Sequence, residues 1–191
     1  MYWQDEGYLL FKTNLDENSI IIETFTLNHG KYTGIVYGGS SRKQKGKFQI
    51  GNKFLLHWKS KTENKSGYFN IELIKPVSPY FFDDKKRSVC ILSATSILKI
   101  LLPERQTNRK VYNFFEGMLT DLRSNNWIKI YINWELSLIK ELGFEADLKT
   151  NYNIDIKKAL TFNRNLLMKN FFIPNSLKFP LFRNILENYF L

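Results

Sequence analysis

The chain up to Ile74 shows short alternating runs of apolar and polar residues. Five runs rich in β-branched and aromatic types are separated by turns rich in Asn, Gly and Ser. They are Gly7–Phe11, Ser19–Phe25, Thr33–Tyr37, Phe54–Trp58 and Tyr68–Leu73. This length and composition predict β-strands, and five strands so closely spaced favour a small barrel over a sandwich. Alternation places Trp58 on the same face as Phe54 and Leu56, so we expect it in the core.

The pattern changes at Lys75–Pro79, where two prolines discourage both a helix and a central strand. Downstream, apolar residues recur at helical spacing. One helix ends before Pro103, a second begins at Thr107 or Asn108, and a third begins at Asn125 or Asn126 and ends at Gly143. Weaker patterns predict helices in 155–169 and 180–191. We therefore predict an α+β chain with a barrel domain at 1–79 and an all-α domain at 80–191.

Positive charge is concentrated in the barrel half of the chain. The 191 residues carry 28 Lys and Arg against 18 Asp and Glu, a net charge of +10. Between Lys31 and Lys65, nine basic residues face the single acid Glu63. Such a balance favours an anionic partner, nucleic acid first, although a charge run alone fits a solvated hairpin equally well. A closed five-stranded barrel with basic loops points to the oligonucleotide-binding (OB) fold, and small Src-homology-like barrels also fit.

Aromatic residues interleave with these cations, which is the combination that binds single-stranded nucleic acid. Tyr37 and Phe48 flank the most basic stretch, so we expect them to stack on bases. Together with the cations they form the candidate DNA-binding set: Lys31, Tyr37, Arg42, Lys43, Lys45, Lys47, Phe48 and Lys53.

Catalytic and metal-binding chemistry finds little support in the sequence. The two histidines, His29 and His57, are isolated, and the lone Cys90 excludes a disulfide and a multi-thiolate metal site. The glycines around the basic stretch lack the spacing of a phosphate-binding P-loop. No apolar run is long enough for a membrane span, and acids at the N-terminus argue against a signal peptide. We expect a cytoplasmic, nucleoid-associated protein without cofactor, and not an enzyme.

Read in order, several segments resemble one family of bacterial recombination mediators, the RecO family. The segments are Trp3–Leu10, Glu17–Ile21, Phe25–Gly30, Val36–Arg42, Phe48–Asn52, Leu102–Arg105 and Tyr131–Phe144. The resemblance implies an N-terminal OB domain, a helical C-terminal domain and a non-enzymatic role. That role is to bind single- and double-stranded DNA, to anneal complementary strands and to help load RecA onto DNA coated with single-strand-binding protein (SSB).

The resemblance also implies two protein partners, RecR and the acidic C-terminal tail of SSB. The alternative function is an adaptor whose helical domain chiefly binds these partners, with DNA binding secondary. Its candidate contacts are Arg105, Arg109, Lys110 and Lys140. Basic residues like these are ordinarily found on solvent-exposed helix faces that bind no partner. A third possibility, an enzyme acting on nucleic acid, would need a metal or acid–base set that the sequence does not offer.

Three features depart from the family pattern. Tyr37 stands where relatives commonly have Arg, so one phosphate contact is either missing there or replaced by stacking. The four-cysteine zinc site of some members is excluded by the lone Cys90. The segment after Leu148 looks shortened, with family-like sequence resuming near Leu166 and Phe171.

Overall fold

The computed structural model describes residues 1–61, 67–144 and 155–190. They form two compact units, Met1–Arg109 and Lys110–Leu191. Glu63, Lys65, most of the turn predicted between the last two strands, and the departure after Leu148 lie outside the described residues.

The first unit contains the five predicted strands, each somewhat longer than its apolar run. They are β1 (Tyr2–Asn14), β2 (Ser19–Thr26), β3 (Gly30–Tyr37), β4 (Lys53–Lys59) and β5 (Gly67–Lys75). They close into a barrel in the order β1-β2-β3-β5-β4, with β3 and β5 parallel and the other neighbours antiparallel. The predicted OB fold is confirmed.

β1 closes the barrel by pairing with β4 along its first half and with β2 along its second half. Gly7 is opposite Thr26 of β2 and opposite Phe54 of β4. A Cβ atom at Gly7 would lie 2.8 Å from Leu56 and 2.9 Å from Thr26, so a larger residue at this crossing would have to displace their side chains. The register shift after Leu9 bends the strand as it leaves β4.

The barrel interior is filled by the inward side of each strand. Its buried core is Leu9, Ile20, Ile22, Val36, Phe48, Phe54, Leu56, Trp58 and Phe69. Trp58 is 2% exposed, which confirms its predicted place in the core.

A helix covers the outside of β1. It is α1 (Lys85–Leu101), which follows a 3₁₀ turn at Ser78–Phe81. The Asp84 side chain begins α1 by accepting a hydrogen bond from the backbone N–H of Arg87 at 3.0 Å. The predicted boundary at residue 79 lies just after the last strand. The helix α1, which follows it, still belongs to the first compact unit. A boundary there between independently folding domains stays a prediction.

The second unit is helical, as predicted. It contains α2 (Arg109–Asp121), α3 (Trp127–Glu141), α4 (Ile156–Leu167) and α5 (Leu181–Asn188), and a π-helical turn at Met168–Phe172 extends α4. Gly143 has a φ of +94°, the left-handed conformation expected just after the C-terminal end of α3.

The buried side of α5 differs from the apolar face that the sequence indicates. Leu181 and Tyr189 are exposed, whereas Arg183 and Glu187 are buried beside Leu186. Arg183 donates to both carboxylate oxygens of Glu135 on α3, at 2.5 and 3.1 Å, and to the backbone carbonyl of Leu160 on α4 at 2.9 Å.

The two carboxylates of this buried cluster have further partners. Tyr131 and Asn163 donate to Glu135 at 2.6 and 3.0 Å, and Arg164 donates to Glu187 at 3.1 Å. Burial would lower the pKa of Arg183, but the charge of Glu135 raises it above its ordinary value. A paired and hydrogen-bonded guanidinium therefore fixes α3, α4 and α5 together.

Replacing Arg183 with Met should lower the free energy of unfolding by about 3–5 kcal/mol, because Glu135 would remain buried without its counter-charge. Urea unfolding followed by circular dichroism measures the change. The exposed Lys129 of α3 provides the control: Lys129→Met should cost less than about 0.5 kcal/mol. Adding Glu135→Met to Arg183→Met should recover part of the loss. An Arg183→Met variant as stable as the control would contradict this role.

Candidate nucleic-acid interface

The β3–β4 loop, residues 38–52, carries the most basic stretch of the chain. It begins at Gly38, whose φ of +73° ends β3. The backbone then closes successive turns: Ser41 N donates to Gly38 O at 3.2 Å, Lys45 N to Ser41 O at 2.9 Å, and Lys47 N to Gln44 O at 2.8 Å. The cations are therefore carried on a compact, hydrogen-bonded loop.

Both ends of the β3–β4 loop are tied to the barrel. At the start, the Ser40 hydroxyl donates to Glu17 O, in the β1–β2 turn, at 2.6 Å. At the end, the Asn52 side chain is fully buried and donates to Lys47 O at 3.0 Å. The Asn52 amide oxygen accepts from the backbone N–H of Val77 at 2.8 Å, just after β5. These bonds restrict the positions of the loop backbone. They therefore also restrict the Cα atoms from which the cationic side chains extend.

Four of the predicted DNA-binding residues form one exposed group. Arg42, Lys43, Lys45 and Lys47 are all exposed on the β3–β4 loop. Exposed cations on a loop held by the barrel can follow the phosphates of a bound strand.

Lys12 of β1 joins these cations, and the sequence reasoning missed it. Partial burial, and then the positive charge of Lys45, lower the pKa of Lys12. The cation density along the sequence could not reveal this neighbour, because Lys12 lies outside the basic segment and the fold of β1 brings it close. An anion bound here would relieve the repulsion between the two cations.

The two predicted stacking residues have different fates. The Tyr37 ring is 68% exposed, at the end of β3 next to the cationic loop. Phe48 is 2% exposed and stacks on Phe54 inside the barrel, with ring centroids 5.8 Å apart. The predicted stacking role of Phe48 is therefore wrong, because the loop turns this ring inward to cover the end of the core.

Lys31 is buried and supports the fold. Its Nζ donates to the carbonyl of Lys99, in the last turn of α1, at 2.7 Å. Burial lowers the pKa of Lys31, against the opposing influence of Glu23 and Glu104. The phosphate contact of Lys31 stays a prediction, and the structure uses its ammonium group to satisfy a C-terminal carbonyl of α1.

Lys53 is partly buried on β4. Its Nζ lies 2.7 Å from the Glu6 carboxylate, so its charge is matched within the barrel. We regard it as a weaker candidate than the exposed loop cations.

The four candidate partner-binding residues fall in different parts of the chain. In the first unit, the Arg105 guanidinium lies 5.5 Å from the centre of the Tyr32 ring, and Arg109 donates to the Asn28 side chain at 2.6 Å. In the second unit, Lys110 Nζ lies 3.5 Å from the carboxylate of Glu141 at the end of α3. Lys140, which precedes Glu141 in the sequence, is exposed.

His29 and Cys90 are of residue types that can be reactive, and both are packed into the fold. His29 stacks on Trp3 with ring centroids 4.2 Å apart, and its Nδ1 is 3.0 Å from the Asp5 carboxylate. Cys90 is buried in α1. In residues 1–61, 67–144 and 155–190, no three His, Cys, Asp or Glu side chains are grouped as a metal site would require. Within those ranges no helix combines the length and apolarity of a membrane span.

The closed five-stranded barrel, with its exposed basic loop and helical second unit, places the chain in the class of OB-fold proteins. A model for the N-terminal part of recombination protein O matches residues 1–77, and one for its C-terminal part matches residues 83–154. The chain belongs to the RecO family.

Curated relatives agree with this assignment, and each is named a DNA repair protein. The chain is 34% identical over 164 residues to the RecO protein of a Wolbachia species from Drosophila simulans, covering 85% of this chain and 68% of the relative. It is 36% identical over 145 residues to that of Rickettsia africae, covering 76% of this chain and 61% of the relative. Against the Cereibacter sphaeroides protein the identity is 32% over 146 residues, covering 76% and 61%.

Lys31→Met should affect the stability of the fold, whereas Lys43→Met should affect DNA binding. Lys31→Met removes the bond to Lys99 O and should lower the free energy of unfolding by about 1–3 kcal/mol, with little change in DNA affinity. Lys43→Met should leave stability within about 0.5 kcal/mol and reduce the salt dependence of DNA binding by about one unit of slope. Urea unfolding and fluorescence anisotropy with labelled DNA measure the two effects. Weaker DNA binding by folded Lys31→Met would support its predicted phosphate contact.

Proposed function

We propose that the protein is a non-enzymatic DNA-binding mediator of recombinational DNA repair. It binds single- and double-stranded DNA, anneals complementary strands and helps load RecA onto SSB-coated single strands. Membership of the RecO family supports the repair role. The observation that carries the DNA-binding part is the group of exposed cations on the β3–β4 loop beside Tyr37.

The charge of this loop suggests how annealing would proceed. Two complementary strands repel each other through their phosphates, and a protein that neutralises phosphates lowers this barrier while releasing condensed counterions. Contacts to phosphate carry no sequence information, so the loop would accept any pair of complementary strands. The bases of a strand held by its backbone remain free to find their partners. We assign this contact to the proposed OB domain at 1–79.

RecR and the acidic tail of SSB complete the proposal as protein partners. Lys110 and Lys140 of the second unit are exposed cations that suit an acidic peptide. Binding of SSB by one part of the chain and of DNA by another would bring the annealing surface to coated strands, because tethering raises the local concentration of the second ligand.

Reversing the charge of Arg42, Lys43, Lys45 and Lys47 together, each to Glu, should abolish annealing while the fold is retained. For single strands the salt dependence of binding should fall by about three units of slope, since each phosphate contact contributes about 0.7. The measurement is annealing of labelled complementary strands, bare and SSB-coated, across a salt series, with circular dichroism to verify folding.

A matched control changes the net charge by the same amount elsewhere. Lys157, Lys158, Lys169 and Lys178 are exposed on the second unit, and their reversal to Glu should leave annealing of bare strands unchanged. Normal annealing by the loop variant would refute the site assignment. Loss of annealing on SSB-coated strands by the control variant alone would favour the adaptor function.

A further inference from the structure

A cleft lies beside Tyr37, where β3 and β5 separate. The parallel pairing of these strands joins Gly34 to Gly67 and Ile35 to Tyr68. Beyond that point Val36–Gly39 on one side and Phe69–Ile71 on the other line an opening of about 290 Å³, which the β3–β4 loop closes through Ser41, Gln44 and Phe48. The cleft is therefore a mouth of the barrel, a common position for ligand sites in barrel proteins.

The cleft has an apolar floor and a polar rim. Val36, Phe48 and Phe69 on the floor belong to the barrel core. Ser41, Gln44 and Asn70 on the rim are exposed, and their side chains offer both hydrogen-bond donors and acceptors. The accessible part of the lining is therefore mainly polar, and the edge of a planar base offers the donors and acceptors that these side chains need.

Tyr37 lines the cleft, and the exposed ring of Tyr68, outside the lining, packs against it. Tyr37 is 68% and Tyr68 40% exposed, and their ring centroids are 6.2 Å apart at an angle of 53°. Exposed aromatic faces next to cations are where proteins stack the bases of single strands. This pair arises from the pairing of β3 with β5, and neither tyrosine is near the other in the sequence.

The cationic loop identifies the occupant. Gln44 on the rim lies between Lys43 and Lys45, so a ligand in the cleft would have its charged part beside these exposed cations. A nucleotide has this arrangement, with a planar base joined to a phosphate. A base paired within a duplex does not present its face, because its neighbours in the stack cover it.

We infer that the cleft between Tyr37 and β5 binds one unpaired nucleobase of a DNA strand, with Tyr37, backed by Tyr68, as its stacking surface. This inference rests on the proposed function and adds to it a contact that distinguishes single strands from duplex. The loop cations contribute phosphate binding to any DNA, whereas the cleft contributes only when a base is free.

The test compares two single strands with the same backbone charge, using the full chain. One is a labelled oligothymidylate of about 16 nucleotides, the upper site size of an OB fold, and the other is the same length built of abasic residues. Anisotropy titrations are run at several salt concentrations. The variants are Tyr37→Ala, Tyr68→Ala and Tyr37→Phe, with Tyr80→Ala as the control at an exposed tyrosine outside the cleft.

The protein should bind oligothymidylate more tightly than the abasic strand. Tyr37→Ala and Tyr68→Ala should each weaken binding of oligothymidylate about 5- to 100-fold and leave the abasic strand unchanged. Tyr37→Phe should retain the preference, because it keeps the ring, and Tyr80→Ala should bind as the unaltered protein does.

Equal affinity for the two strands would overturn the base-binding inference while leaving phosphate-mediated DNA binding in place. Alanine variants that weaken both strands alike would overturn it in the same way. If the unaltered protein bound neither strand in a salt-dependent manner, the proposed function would fail as well.

Discussion

The closed barrel depends on a long first strand that pairs with two neighbours in succession along its length. β1 pairs with β4 through its first half and with β2 through its second, and the two ladders cross at Gly7. A side chain at this position would have to displace Leu56 and Thr26, so glycine lets the neighbouring strands approach closely there. The same strand, bent after Leu9, brings Lys12 to the cationic loop. The geometry that seals the core thus also contributes one charge to the candidate DNA surface.

Two buried polar side chains, Asn52 and Lys31, each join two segments of the first unit. The Asn52 amide joins the end of the β3–β4 loop to the chain that leaves β5, and Lys31 joins β3 to the end of α1. Both groups are withdrawn from solvent and have partners there, as buried polar groups require. The loop cations can remain in water because other residues hold their backbone in place. Burial therefore distinguishes a cation that stabilises the fold, Lys31, from the loop cations that remain available to a ligand.

The sequence was sufficient for the strands, the helices and the cationic loop, because alternation, helical spacing and clustered Lys and Arg are local signals. It placed Trp58 in the core by simple alternation. It did not show the burial of Phe48 and Lys31, since their exposure depends on a loop that folds inward and on a distant helix end. It also missed Lys12, Tyr68 and Arg183, whose roles arise from pairing between separate elements. Adjacency to a charged stretch is thus a poor guide to exposure.

In the second unit, the Arg183 cluster makes the burial of carboxylates on one helix depend on guanidinium groups from other helices. Glu135 and Glu187 are both buried, and each depends on a guanidinium supplied from another part of the unit. A nascent chain that stopped before Arg183 would contain α3 and α4, yet it would have to dehydrate the Glu135 carboxylate without a counter-ion. Such a product would stay open and become a substrate for proteolysis. The Glu135–Arg183 pair therefore couples the folding of α3 and α4 to the presence of α5.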